Sequence, residues 1–121
     1  MNQLTYRDQQ AWRKHLIAAI DAGDAARAAA LASDAPAEDA QTGEDQFLLG
    51  RAAELAGETE RAEQLYRTAL AAEDMPTWCI GATAGALAGL LTRTARADEA
   101  APLFEQSLAC KDIERDRKSV V

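Results

Sequence analysis

Few residues of this chain have reactive side chains, and they do not stand in a catalytic or metal-binding pattern. His15 is the only histidine, and no serine or cysteine nucleophile lies near it in the sequence. A helix residue on or beside a buried stripe is usually a packing residue, and we interpret His15 in that way. Cys79 and Cys110 form no CxxC motif, and one histidine does not complete a metal-ligand cluster with them. We therefore expect no catalytic residue, no metal site and no cofactor.

The acidic residues and the glycine-rich stretch also have simpler explanations than catalysis. Glutamates and arginines in the middle of the chain stand at the spacing of pairs on a solvated helix face. No two carboxylates are set apart by burial, so the pattern assigns no acid–base pair. The stretch GATAGALAG, residues 81–89, lies inside a helical pattern and does not follow a strand, so it is no phosphate-binding loop. We expect no enzymatic activity. The charged residues concerned are Arg51, Glu54, Glu58, Glu60, Arg61, Glu63 and Arg67.

The stretch around which the chain is organised, residues 46–72, predicts two short amphipathic helices joined at Gly57. Its apolar residues recur three and four positions apart, which is the helical period and not the alternation of a half-buried strand. Glycine takes the left-handed conformation that ends a helix without steric penalty, so we expect the chain to reverse at Gly57. Thr42, followed three residues later by Asp45, predicts the N-cap of this hairpin.

Similar helical patterns precede and follow this hairpin. The first helix is expected to begin near Tyr6, with Thr5 as its N-cap, and to end at Gly23. Alanine is abundant and is the best helix former, so the predicted fold class is all-α in a single domain covering residues 1–121. The other predicted helices cover residues 24–32, 76–93 and 97–110, and the charged segment 111–121 is expected to fray.

The formal net charge of −7 disfavours non-specific binding to nucleic acid or to anionic membranes. It suits a partner that is basic or largely apolar. No stretch approaches the ~20 apolar residues needed to cross a bilayer. The first residues, MNQLTYRDQQAWRK, contain no apolar signal core. We expect a cytoplasmic protein that binds neither nucleic acid nor membrane.

The hairpin pattern recurs along the chain. The interval from Gly23 to Gly57 is about 34 residues, which is the period of the helix–turn–helix unit called the tetratricopeptide repeat. A slightly longer interval leads from Gly57 to Ala95, which takes the place of the glycine. The chain resembles that family over about residues 5–110, in three units of about 5–33, 43–72 and 76–110. In the central unit the residues at the family's signature spacing are Leu49, Gly50, Ala53, Gly57, Ala62, Tyr66 and Ala69.

The resemblance implies a right-handed superhelix of three antiparallel helix pairs, in which the first helix of each pair lines a concave groove. It implies binding of a helical or extended segment of another protein. A groove with Phe and Leu in the middle, small residues at one end and two cations at the other suits an amphipathic helix. Glutamate in place of Phe47 or Leu48 is then expected to abolish partner binding without loss of helicity. The implied groove positions are Arg13, Lys14, Ile17, Phe47, Leu48, Arg51, Ala82, Gly85, Ala86 and Gly89.

We interpret the chain as a protein-binding adaptor or chaperone, with alternatives left open. The segment from residue 62 to residue 78 also resembles the bacterial type III secretion needle chaperones, which cradle a helix of the needle subunit. A second class is a structural protein that self-assembles, because three repeats without a capping helix leave the end of the sixth helix partly open. A third class is an enzyme or small-ligand sensor. Trp12 stands at a packing position of the family, whereas Trp78 lies outside that spacing and is a core residue or a ligand anchor.

Cys79 and Cys110 lie at similar distances before and after the turn near Ala95. An antiparallel hairpin brings such positions level with one another. Packed helix axes lie ~8–10 Å apart, whereas a disulfide needs Cα atoms ~4.4–6.8 Å apart and two side chains that face the seam. A reducing compartment makes a standing bond unfavourable. We expect two buried, free thiols that mild oxidation joins within the molecule.

Overall fold

The computed structural model describes residues 6–36 and 41–119, with side chains described for residues 9–36 and 41–110. Within these ranges the chain is all-α and forms no strand, as the helical periodicity predicts. The first helix begins at Tyr6 as expected, while its predicted cap, Thr5, lies outside the described residues. The helices are α1 (Tyr6–Asp21), α2 (Ala25–Ser33), α3 (Gly43–Leu55), α4 (Thr59–Ala71), α5 (Thr77–Arg93) and α6 (Ala97–Ser119).

Three helical hairpins, α1–α2, α3–α4 and α5–α6, close with the same left-handed turn. The residue at the turn has φ +68° at Gly23, +80° at Gly57 and +61° at Ala95. In the central turn the N–H of Glu58 donates to the carbonyl of Ala53 at 2.9 Å, and the N–H of Gly57 to that of Glu54 at 3.0 Å. This is the Schellman motif, which satisfies carbonyls that the helix end leaves unpaired. The predicted reversal at Gly57 is confirmed.

The start of α3 is fixed by side chains as well as by its own backbone. Thr42 and Asp45 form the predicted capping box: the Asp45 N–H donates to the Thr42 hydroxyl at 3.1 Å, and the Thr42 N–H to the Asp45 carboxylate at 3.0 Å. Asp45 is fully buried, and its other oxygen accepts a 2.7 Å hydrogen bond from Nε of Arg13 on α1. A buried carboxylate needs such partners to offset its lost hydration. The cap therefore also anchors α1 to α3.

The core runs along α3, which contacts α1, α2, α4 and α5. Consecutive helices approach closely where one of them carries a small residue. A Cβ at Gly50 would lie 2.5 Å from the ring of Tyr66, so the ring packs directly on the α3 backbone. Trp12 is 6% exposed and its Nε1 donates to the carbonyl of Leu31 at 2.6 Å, which confirms it as a core residue. No described buried side-chain nitrogen or oxygen lacks a hydrogen-bond partner.

Charged side chains connect the second hairpin to the third on the surface. Arg96 donates to Glu63 of α4 at 2.7 Å and to Glu99 of α6 at 2.6 Å. Arg67 of α4 also reaches Glu99 at 3.4 Å. The hydrogen bonds from Arg96 lower the pKa of Glu63 and of Glu99 below their ordinary range. The network therefore favours the charged carboxylates in the folded chain and weakens in acid, as pH falls through these lowered pKa values.

Two expectations for α6 and its cysteines need correction. The helix continues to Ser119, well past Cys110, where we expected fraying to begin. Helices five and six pair as predicted, but Cys110 packs on Gly81: a Cβ at Gly81 would lie 2.9 Å from its Cβ. Cys79 is two residues from Gly81, about 200° around α5, and its side chain joins the core cluster. Both thiols are free and buried, as expected, but they lie on different sides of α5, so this arrangement does not favour the internal bond that we expected on oxidation.

The left-handed Ala95 yields a stability prediction. An L-residue with a side chain loses roughly 1–2 kcal/mol in this conformation, and glycine avoids most of that loss at some entropic cost in the unfolded state. Ala95→Gly should therefore stabilise the fold by about 0.5–1 kcal/mol and raise the melting temperature by roughly 2–5 °C. Ala109→Gly, at an exposed position inside α6, is the matched control and should destabilise by about 1 kcal/mol. Equal losses in the two variants would contradict the left-handed turn.

The thiols yield a second prediction. Burial raises the pKa of the Cys79 thiol to about 11, with a further contribution from the Glu44 carboxylate. Native alkylation at neutral pH should therefore be slow, and slowest at Cys79, because the thiolate is the reactive form. The Cys110→Ser variant isolates Cys79, and unfolding in guanidinium should release full reactivity. Mild oxidation should leave the monomer without an internal disulfide. An oxidised monomer lighter by two hydrogens would show that the two thiols do meet.

Candidate functional site

A groove of about 580 Å³ crosses the first helices of the three hairpins. Each helix contributes residues from one face, spaced by three or four positions as helical geometry requires. The lining is mostly apolar, and the side chains of Asp21 and Arg51 are its charged members. The lining residues are Ile17, Ile20 and Asp21 of α1, Phe47, Leu48 and Arg51 of α3, and Trp78, Ala82 and Ala86 of α5.

The walls of the groove differ in burial. Phe47 and Leu48 on the central helix are only 9% and 6% exposed and belong to the hydrophobic core. On the flanking helices Ile17 is 38% exposed and Trp78 is 49% exposed. Ala82, one turn after Trp78, is also exposed. The groove thus has a packed floor on α3 and open apolar walls on α1 and α5, where an occupant would cover the most exposed surface.

A hydrogen-bonded chain behind the floor holds its central residues in place. The ring of Phe47 lies 6.1 Å from that of Tyr66, measured between centroids. The Tyr66 hydroxyl donates to Glu54 at 2.5 Å, and Arg93 of α5 donates to the other carboxylate oxygen at 2.6 Å. Burial, together with the Glu54 carboxylate, raises the pKa of Tyr66 far above its usual range. The phenol therefore stays protonated and keeps donating, which links α3, α4 and α5.

Six of the ten groove positions expected from the sequence lie together in this groove. They come from all three first helices and include both large apolar residues of α3. The expectation that glutamate at Phe47 or Leu48 leaves the helices intact is corrected, because both side chains are part of the core and a buried charge there would destabilise it. The six are Ile17, Phe47, Leu48, Arg51, Ala82 and Ala86.

The other four positions lie elsewhere. Arg13 binds the buried Asp45 and also lies 3.4 Å from Glu44, so it connects helices. Lys14 is exposed on α1 and does not line the groove. Gly85 faces α6, since a Cβ there would lie 3.2 Å from the Ser107 hydroxyl, and a Cβ at Gly89 would meet nothing within 4 Å. The face of α5 with Gly81 and Gly85 serves the contact with α6, and the face with Ala82 and Ala86 serves the groove.

The sequence interpretation missed Ile20 and Asp21 as lining residues and left Trp78 undecided. Trp78 stands four residues before Ala82, which stands four before Ala86, so a helical stripe already joined them. His15 is exposed, and its interpretation as a packing residue is wrong. Among the residues that the structure describes, no three histidine, cysteine or acidic side chains form a group able to hold a metal ion.

Comparison of the chain with models of known protein families, with curated proteins and with solved structures found no match. Across the described helices, none is both long enough and apolar enough to span a membrane.

The side chains with a clearly shifted pKa, which include Tyr66, Cys79 and Arg96, lie outside the groove lining. The groove therefore offers shape and apolar surface, with Asp21 and Arg51 as its charged side chains.

The difference between floor and wall can be tested by stability measurements. Leu48→Ala removes a buried side chain and should destabilise the fold by ~2–5 kcal/mol. Trp78→Ala removes a larger side chain that is half exposed, and should change the free energy of unfolding by less than about 1 kcal/mol. Urea unfolding monitored by circular dichroism measures both. A loss at Trp78 as large as that at Leu48 would mean that Trp78 is a packing residue of the core.

Proposed function

We propose that this chain is a tetratricopeptide-like protein-binding module whose groove holds an amphipathic helix of another protein. The observation that carries the proposal is the continuous apolar groove formed by the first helices of all three hairpins. That is the surface which the family resemblance assigns to ligand binding. The module would act as an adaptor or chaperone, and a cytoplasmic location is part of the proposal.

The lining favours a helix over a small molecule. A small-molecule site encloses most of the surface of its ligand, whereas this groove is open along the exposed side chains of Ile17, Trp78 and Ala82. Arg51 is half exposed at 43%, and its contact with Glu54 is long at 4.0 Å, so its guanidinium can also reach an occupant. A helix with large apolar residues three and four apart would cover Trp78 and Ile17. A carboxylate on its polar edge would lie near Arg51 and a cation near Asp21.

Small residues on α5 set the shape of one wall. Ala82 and Ala86 leave space where larger side chains would fill the groove, so bulky side chains of an occupant can approach the α5 backbone. Burial of such side chains contributes roughly 25 cal/mol per Å² of apolar surface removed from water. The exposed Trp78 beside them supplies the kind of aromatic contact that dominates many protein interfaces.

Site-specific photo-crosslinking in the native cell tests the proposal. A photoreactive residue at position 82 should capture a defined partner, and the crosslinked peptide should map to an amphipathic helix. The matched control places the same residue at the exposed position 71 of α4, outside the groove, where no such product should form. Trp78→Ala should reduce capture at position 82 at least fivefold while the protein stays folded. Equal capture from positions 82 and 71 would reject the groove as the binding site.

A further inference from the structure

Equivalent positions of the second and third hairpins differ in burial in a way that marks an uncovered end. Tyr66 in the second hairpin corresponds to Phe104 in the third, counted from the turn residues Gly57 and Ala95. Tyr66 is fully buried, whereas Phe104 is 44% exposed. Leu70 packs against the core, whereas its counterpart Leu108 is 60% exposed. The second hairpin is followed by α5, which contacts α4, and no further hairpin follows α6 within the described residues.

The opposite end of the chain shows the complementary half of the same contact. On α3, Leu49 and Ala52 face α2 and are 6% and 3% exposed. The positions that correspond to them on α1, counted from the turn residues Gly57 and Gly23, are His15 and Ala18. Both are exposed, as is Ala22 on the next turn, because no hairpin precedes α1 among the described residues. We call Phe104 and Leu108 the end face, and His15, Ala18 and Ala22 the start face.

The charges beside the two faces are also complementary. Between the second and third hairpins, Arg67 lies 3.4 Å from Glu99. The position equivalent to Arg67 in the third hairpin is Glu105. The position equivalent to Glu99 in the first hairpin of a following copy is Arg27. Glu105 and Arg27 are both exposed and opposite in charge. A contact between two copies could therefore form an ion pair at the same place, with the acidic and basic residues exchanged.

We propose that copies of this chain associate head to tail, with the end face of one copy stacked on the start face of the next as one hairpin stacks on another within the chain. The contact is heterologous, so it leaves a free face at each end and forms open chains of copies, whereas an isologous contact closes at two. This association uses surfaces distinct from the groove, and it does not depend on the proposed binding of a partner helix.

Sedimentation velocity over a range of protein concentrations tests the association. The average mass of the native chain should rise above the 13.0 kDa of one copy and continue to grow past two copies. Three variants should each remain monomeric at concentrations ten times higher than those at which the native chain associates: Phe104→Asp, Leu108→Asp and Ala18→Glu. Each substitution places a charge where the contact between copies would bury it. All three sites are exposed in the monomer, so circular dichroism should show folded proteins. Ala71→Glu, an exposed alanine on α4, is the control and should associate like the native chain.

Mixing two monomeric variants distinguishes head-to-tail stacking from a symmetric pair. Phe104→Asp keeps its start face and Ala18→Glu keeps its end face, so an equimolar mixture should form a one-to-one complex that grows no further. Arg27→Glu alone or Glu105→Arg alone should weaken the association by about fivefold or less. The double variant, in which the two charges are exchanged, should restore it. A monomeric native chain at every concentration overturns the proposal. So does an Ala18→Glu variant that still dimerises, since that result means the end face pairs with itself.

Discussion

Tyr66 packs directly on Gly50, and the positions of three helices follow from this contact. The glycine lets an aromatic ring lie on the backbone of α3, at a distance that any side chain at position 50 would prevent. The ring then places its hydroxyl against Glu54, which in turn accepts from Arg93 of α5. One contact therefore fixes the distance between α3 and α4 and, through a single carboxylate, the position of α5.

The groove follows from this arrangement because its floor is the other side of the same packing. Phe47 lies next to the Tyr66 ring and also lines the groove. A residue that both packs in the core and lines the groove cannot be altered without altering stability, whereas the walls tolerate substitution better. Ile17, Trp78 and Ala82 are exposed there, and each can change without opening a cavity in the core.

Repetition explains why the two ends of the chain differ from its middle. Ala28, Ala62 and Ala100, each five residues after a turn residue, are buried in every hairpin, the last one included. Another position on the second helix of the hairpin behaves differently: Leu70 packs against the core, whereas its counterpart Leu108 is 60% exposed. Stability in such arrays is approximately a sum of terms within hairpins and between neighbours. An uncovered end lacks the second term, and another copy of the chain could supply it.

Helices, caps and turns could be predicted from the amino-acid sequence, because they depend on residues within a few positions of one another. The capping box at Thr42 and the reversal at Gly57 follow from such local chemistry. Packing between distant helices selects which face of each helix serves which neighbour. Gly85 and Ala86 are adjacent and small, yet one packs on α6 and the other lines the groove. Likewise Arg13 binds a carboxylate 32 residues away. The helical period restricts these choices, but a local pattern cannot make them, since each depends on the side chains that another helix presents.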